Sequence, residues 1–121
     1  MSNEDLVINT VHSQTTSTPG RSVSRVRGNE LLIDEPTHLG GPGEKMTPAE
    51  AFLSGVAACG VLLVQGHARN TGVRLEAVDA TIEAVRRRKD TSVFQEIQLT
   101  FIVAGPDQQQ AETLVRYYQE H

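Results

Sequence analysis

Thr47–Asn70 reads TPAEAFLSGVAACGVLLVQGHARN, and its pattern is that of one long helix holding the only cysteine of the chain. Thr47 suits the N-cap, Pro48 the first helical position, and Glu50 completes a Thr-x-x-Glu capping box. Gly72, after Asn70-Thr71, suits a left-handed C-cap. At 1.5 Å per residue such a helix is about 35 Å long, the diameter of a small domain. From Ala49 to Val64 it is apolar on nearly every face, which predicts a helix buried all round or a membrane span. Glu50, Ser54, Gly55, Gly60 and Gly66 interrupt the run, which favours the buried helix over the roughly 20 apolar residues of a span. The small residues invite close approach of another backbone, and so short a chain has few elements to surround the helix. A partner chain is therefore expected.

Working outward, Leu6–His12 (LVINTVH) is rich in β-branched residues and is expected as a strand, followed by a polar turn over Gln14–Gly20. Ser22–Arg27 and Glu30–Asp34 read as two more strands around a Gly28-Asn29 turn, which makes an antiparallel meander. Pro36–Met46 is a loop centred on Gly40-Gly41-Pro42-Gly43. It lacks the G-x-x-x-x-G-K-[ST] pattern of a phosphate cradle, and Glu44 would repel an anion, so it reads as a connector. Past the helix, Val73–Val85 changes phase near Ala77-Val78, which predicts a β-bulge. Arg86-Arg87-Arg88-Lys89-Asp90 reads as a solvated hairpin tip, and Val93–Val103 as a second strand. Gly105-Pro106 opens a last helix, Pro106–Gln119, with Ala111, Leu114, Val115 and Tyr118 on its apolar face and Glu112 and Arg116 spaced for an ion pair. The order βββ-α-ββ-α is that of an α+β fold.

With 121 residues, one domain over 1–121 is expected. The net charge of −4 argues against nucleic acid as a partner. A single cysteine excludes an internal disulfide framework. The opening MSNEDLVINT lacks the pattern of a secretory leader, and the expected setting is the reducing cytoplasm, away from membranes.

Few residues could carry chemistry. His12, His38, His67 and His121 are not at ligand spacing and no second cysteine exists, so neither a metal site nor a cofactor is expected. Asp34 and Glu35 are adjacent and should point to opposite faces of an extended chain, which suits a solvated strand end better than a catalytic pair. Cys59 is then either a small hydrophobe or a nucleophile. It lies beyond the first turn, where the helix dipole acts, so activation would need a cation from another element or another chain.

The stretch Leu31–Cys59, LLIDEPTHLGGPGEKMTPAEAFLSGVAAC, resembles the OsmC/Ohr family: a strand ending near Asp-x-Pro, a Gly-Gly loop, a Thr-Pro-x-Glu helix start and a small-residue run ending in Ala-Cys. Val93–Gly105 also resembles that family's strand before its second helix. The resemblance implies an intertwined homodimer, with antiparallel sheets wrapped around two long central helices. It implies a cysteine-based peroxidase that reduces organic hydroperoxides or hydrogen peroxide, restored by a thiol reductant. Cys59 matches the reactive cysteine, and Arg21 is the nearest match to the arginine that holds it as thiolate, with Arg25 and Arg27 competing. The acidic partner of that arginine would directly follow the proline, but Ala49 stands there and Glu50 comes one later, on the opposite side of the helix from Cys59. Glu50 either supports the site or only caps the helix. The family's second cysteine lies just past the last helix, where this chain ends at His121, so the chain is expected to lack that segment or that step. The other reading is a non-catalytic dimer of the same fold that binds a small molecule or senses redox state.

Overall fold

The computed structural model describes residues 5–121. Its elements are β1 (His12–Thr15), β2 (Arg21–Val26), β3 (Asn29–Asp34), a 3-10 turn (Thr37–Leu39), α1 (Pro48–Asn70), β4 (Ala77–Val85), β5 (Glu96–Ala104) and α2 (Gln108–Glu120). This is the α+β order expected from the sequence. The residues group into two compact units, one ending at Ala51 and one beginning at Phe52.

In the first unit β1, β2 and β3 form an antiparallel meander. Arg27 and Gly28 take positive φ values of 50° and 81° at the β2–β3 turn, the handedness that matches strand twist in a two-residue hairpin. That turn fixes the register, from Val26↔Asn29 out to Arg21↔Asp34. The first strand starts later than the β-branched run suggested. It covers His12–Thr15, pairing His12↔Arg25 through Thr15↔Ser22. Continuing that register toward Leu6 would require partners beyond Val26, where β2 has already turned away. Leu6, Val7, Ile8 and Val11 are left as an unpaired, exposed apolar arm. The loop before α1 folds back on β3, with Asp34 N–H donating to the Met46 carbonyl at 2.9 Å.

The second unit holds most of α1 with the β4–β5 hairpin and α2. The helix ends in a Schellman motif: Gly72 N–H reaches the Arg69 carbonyl and Val73 N–H the Ala68 carbonyl, with Gly72 at φ 74°. Its Gly60, Val64 and Ala68 face is buried, and Val64 and Ala68 pack with Leu114 of α2. Phe101 and Tyr118 close this core with ring centroids 5.3 Å apart in an edge-on contact. By length and composition α1 could cross a membrane; its buried stripe instead forms the core of this unit. It is not buried all round within the chain, since Phe52 and Leu62 are 55% and 62% exposed.

The ladder from Ala77↔Ala104 to Val85↔Glu96 runs without a bulge. The change of phase near Ala77 arises because Val73–Glu76 is a connector and not strand. That connector passes close to Gly105, where a Cβ would stand 2.8 Å from Glu76 N. β5 begins at Glu96, not Val93, because Asp90 accepts the Ser92 backbone N–H and ties residues 90–92 into the hairpin turn. Helix α2 starts at Gln108, two residues after Pro106, because Asp107 caps it and makes a reciprocal box with Gln110. Glu112 accepts from Gln108 Nε2, and no Glu112–Arg116 ion pair forms among the described residues.

Candidate active site

Arg21 opens β2 opposite Asp34, the last residue of β3. Its Nε donates to Asp34 Oδ1 at 2.7 Å and its Nη2 to Oδ2 at 2.9 Å, a two-pronged pair matched to the planar guanidinium. Nη2 also reaches Glu44 Oε1 at 3.1 Å. The Asp34 side chain is wholly buried, that of Arg21 is 17% exposed and that of Glu44 is 72% exposed. Asp34 Oδ2 further accepts the backbone N–H groups of Glu44 and Lys45. The Arg21 bonds, then those N–H groups, hold the Asp34 carboxyl well below the usual carboxylate range, against the opposing effect of burial. Asp34 and Glu44 likewise hold the guanidinium firmly protonated.

Glycine makes this possible. Gly41 lies so close to Glu35 that a Cβ would run into its carbonyl, and a Cβ on Gly20 would stand 2.7 Å from Gly41 Cα. The Gly40–Gly43 segment is therefore more than a flexible connector. Its tight fold brings the N–H groups of Glu44 and Lys45 onto Asp34. Beside it, Gly20, Arg21, Ser22, Ile33, Asp34 and Pro48 help to line an open pocket of about 260 Å³.

The other two arginines are placed differently. Arg25 pairs with Glu30 at 3.4 Å on the surface, and Arg27 sits in the hairpin turn. Glu50 makes the expected box: its Oε1 accepts the Thr47 N–H at 2.9 Å, while Glu50 N–H donates to Thr47 Oγ1 at 3.2 Å. The carboxylates bonded to Arg21 are thus Asp34 and Glu44, not Glu50. The solvated reading of Asp34 is overturned. Glu35 is exposed as expected, but Asp34 turns inward to meet Arg21.

Cys59 lies midway along α1 with its thiol free and exposed. One stripe of the helix carries Phe52, Gly55, Cys59 and Leu62, all exposed in the chain, and a Cβ on Gly55 would meet nothing within 4 Å. Phe52 stacks on Phe94, whose ring lies under the Arg86 guanidinium 5.5 Å away. Among the described residues no group of His, Cys, Asp and Glu is arranged to hold a metal ion.

Residues 41–121 match the sequence profile of the family described as OsmC-like protein. The fold is similar to that of an OsmC-like protein from Mycoplasma pneumoniae, with TM-score 0.82 and 15% identity over 95% of this chain and 82% of that one. It is also similar to an organic hydroperoxide resistance protein OsmC from Legionella pneumophila, with TM-score 0.72 and 25% identity over 95% and 84%. An organic hydroperoxide resistance protein from Elizabethkingia anophelis gives TM-score 0.67 and 18% identity over 94% and 84%. A comparison with curated protein sequences finds no match.

Proposed function

The chain belongs to the OsmC-like protein family, and on that premise we propose that it is a thiol-dependent peroxidase whose nucleophile is Cys59. The observation that carries this reading is the exposed thiol midway along α1, inside the segment that matches the family. A thiolate is the reactive form of cysteine. In the proposed reaction the Cys59 sulfur attacks the outer oxygen of a hydroperoxide, an S–O bond forms as the O–O bond breaks, and the alcohol leaves with a proton. Hydrogen peroxide would give water instead. Cys59 is oxidised to a sulfenic acid and the peroxide is reduced. With one cysteine in these 121 residues, an external thiol condenses with the sulfenic acid and releases water. A second thiol then reduces the mixed disulfide, so two thiols are oxidised per peroxide. Arg21 is the proposed cation for this step, and Glu50 supports it only by setting the start of the helix. No metal or cofactor takes part, and the setting is the reducing cytoplasm.

The working unit we propose is a homodimer. The open stripe of α1 and the unpaired arm Leu6–Val11 leave large apolar side chains in water, more than a monomer ordinarily tolerates. A second copy would take such side chains out of water.

Mass spectrometry after cumene hydroperoxide tests the chemistry. Cys59 should gain one oxygen, and in a coupled assay with a dithiol Cys59→Ser should abolish turnover. One observation favours a second reading, a dimer of the same fold that binds a small molecule or senses redox state without turnover. The groups expected to activate Cys59 are already engaged, Arg21 by Asp34 and Glu44 and Glu50 by Thr47. A Cys59 that resists peroxide while the protein stays folded would establish that alternative.

A further inference from the structure

We propose that the tip of the β4–β5 hairpin, Arg87-Arg88-Lys89, docks an acidic segment of a partner protein, independently of the chemistry proposed at Cys59. Four positive side chains stand in a row here, Arg86 to Lys89, in a chain whose net charge is −4. All four are exposed. Adjacent like charges repel one another, and a chain with 15 Asp and Glu residues has carboxylates enough to neutralise them. It does not do so. Among the described residues none of the four lies in an ion pair, whereas Arg21 and Arg25 each do. The acid within the turn is directed elsewhere. Asp90 bridges to Arg87 through the backbone, yet its Oδ1 accepts the Ser92 N–H at 3.1 Å and the Ser92 hydroxyl.

The tip is also held in place. Asp90 N–H donates to the Arg87 carbonyl at 3.1 Å and closes the turn. Arg86, the first of the four, folds back: its guanidinium lies 5.5 Å from the Phe94 ring centroid, and its Nη1 reaches the Thr91 carbonyl at 3.4 Å. Phe94 in turn stacks on Phe52 of α1, with ring centroids 5.8 Å apart. Arg86 therefore braces the turn, and Arg87, Arg88 and Lys89 stand on a short fixed loop, which lowers the cost of ordering them on binding. The surroundings decide the occupant. A nucleic-acid strand is held by stacking its bases on free aromatic faces, but Phe94 is already engaged by Phe52 and Arg86. An anionic membrane is an extended surface, and it would repel a chain that is acidic overall. A short run of Asp or Glu side chains matches three cations without meeting the negative charge elsewhere on the chain.

Fluorescence anisotropy of labelled hexaglutamate with the full chain tests this, with hexathymidylate and phosphatidylglycerol vesicles as the other probes. Hexaglutamate should bind at low salt, and its affinity should fall by about tenfold or more between about 50 and about 300 mM salt as screening grows. Arg87→Gln, Arg88→Gln and Lys89→Gln together should weaken binding by at least about tenfold. Arg69→Gln, Arg74→Gln and Arg116→Gln together remove the same charge from exposed positions elsewhere in the second unit, and should change it by less than about threefold. A wild type that ignores hexaglutamate, or equal losses in the two triple variants, overturns the proposal. Tighter binding of hexathymidylate or of the vesicles, lost in the tip variant, overturns it in favour of nucleic acid or membrane. A tip variant that sediments at a different mass from the wild type overturns it in favour of another copy of this chain. Should the tip variant fail to fold, Arg88→Glu decides, with a loss of at least about fivefold expected and an unchanged affinity overturning the proposal.

Discussion

Gly60 of α1 sits against the ring of Phe101 of β5, where a Cβ would stand 2.9 Å from Phe101 Cζ and 3.3 Å from Tyr118 Cε2. The Phe101 ring meets Tyr118 edge-on, so it has little room to withdraw. Glycine inside a helix costs up to about 1 kcal/mol relative to alanine, and close packing is what it obtains here. Gly60→Val should destabilise the protein by about 1–3 kcal/mol through overpacking, read as a lower urea midpoint. An unchanged midpoint would mean that the contact is loose.

Gly55 and Gly66, on the same helix, meet nothing within 4 Å. Nothing among the described residues explains why glycine should stand there, whereas a second helix packed closely against them would. Sedimentation at micromolar concentration should give twice the chain mass of 13.2 kDa, and Gly55→Leu should shift it toward one chain. A well-folded wild-type monomer would remove the dimer from the proposal.

Gly41 is a local keystone of the first unit, because any side chain there meets the Glu35 carbonyl. Gly41→Ala should displace the loop and weaken the bonds from Glu44 and Lys45 N–H to Asp34. A loss of about 1–3 kcal/mol is expected, the range of a single steric fault. Hydrogen exchange of the Lys45 amide should accelerate in this variant while that of the Val64 amide, in the core of α1, lags behind it.

Acid should expose the same cluster. In the folded chain the Asp34 carboxyl titrates well below its ordinary value of 3.8, chiefly because of Arg21. The unfolded chain therefore takes up the proton first as the pH falls. The stabilisation is complete above the ordinary value and is lost as the pH drops from there through the lowered folded value. Urea midpoints between neutral pH and pH 2 should fall less steeply for Asp34→Asn than for the wild type. Equal slopes would show that Asp34 is not linked to acid unfolding.

Much of this was legible in the sequence because it is local. The ends of α1 follow from Thr47, Glu50 and Gly72, whose bonds reach only a turn away. The strands are less legible, since β-branched residues favour extension but do not supply a partner: Leu6–Val11 has the composition of a strand and no strand partner among the described residues. Val73 and Val93 also have strand composition, but each lies where a turn still holds the backbone. The pairing of Asp34 depends on Arg21, its neighbour across the sheet and 13 residues away in sequence, which the local pattern Asp34-Glu35 does not reveal. Once the turn is centred on Arg27-Gly28, counting outward places Arg21 opposite Asp34, and an opposed arginine and aspartate at a strand end signal an ion pair. Which side of α1 stays open could not be read, because an apolar helix gives no polar face to mark it.

Glu50 separates capping from chemistry. Its carboxylate accepts the Thr47 N–H while its own N–H donates to Thr47 Oγ1. Glutamine offers the same acceptor, so Glu50→Gln should keep the helix start, cost little stability and leave the rate of Cys59 oxidation unchanged. Thr47→Ala removes the other half of the box and should cost about 1 kcal/mol. Thermal unfolding and Cys59 oxidation, measured together on both variants, give the answer. If Glu50→Gln slows oxidation severalfold with its unfolding midpoint intact, the charge of Glu50 matters to Cys59, and its role extends beyond the cap.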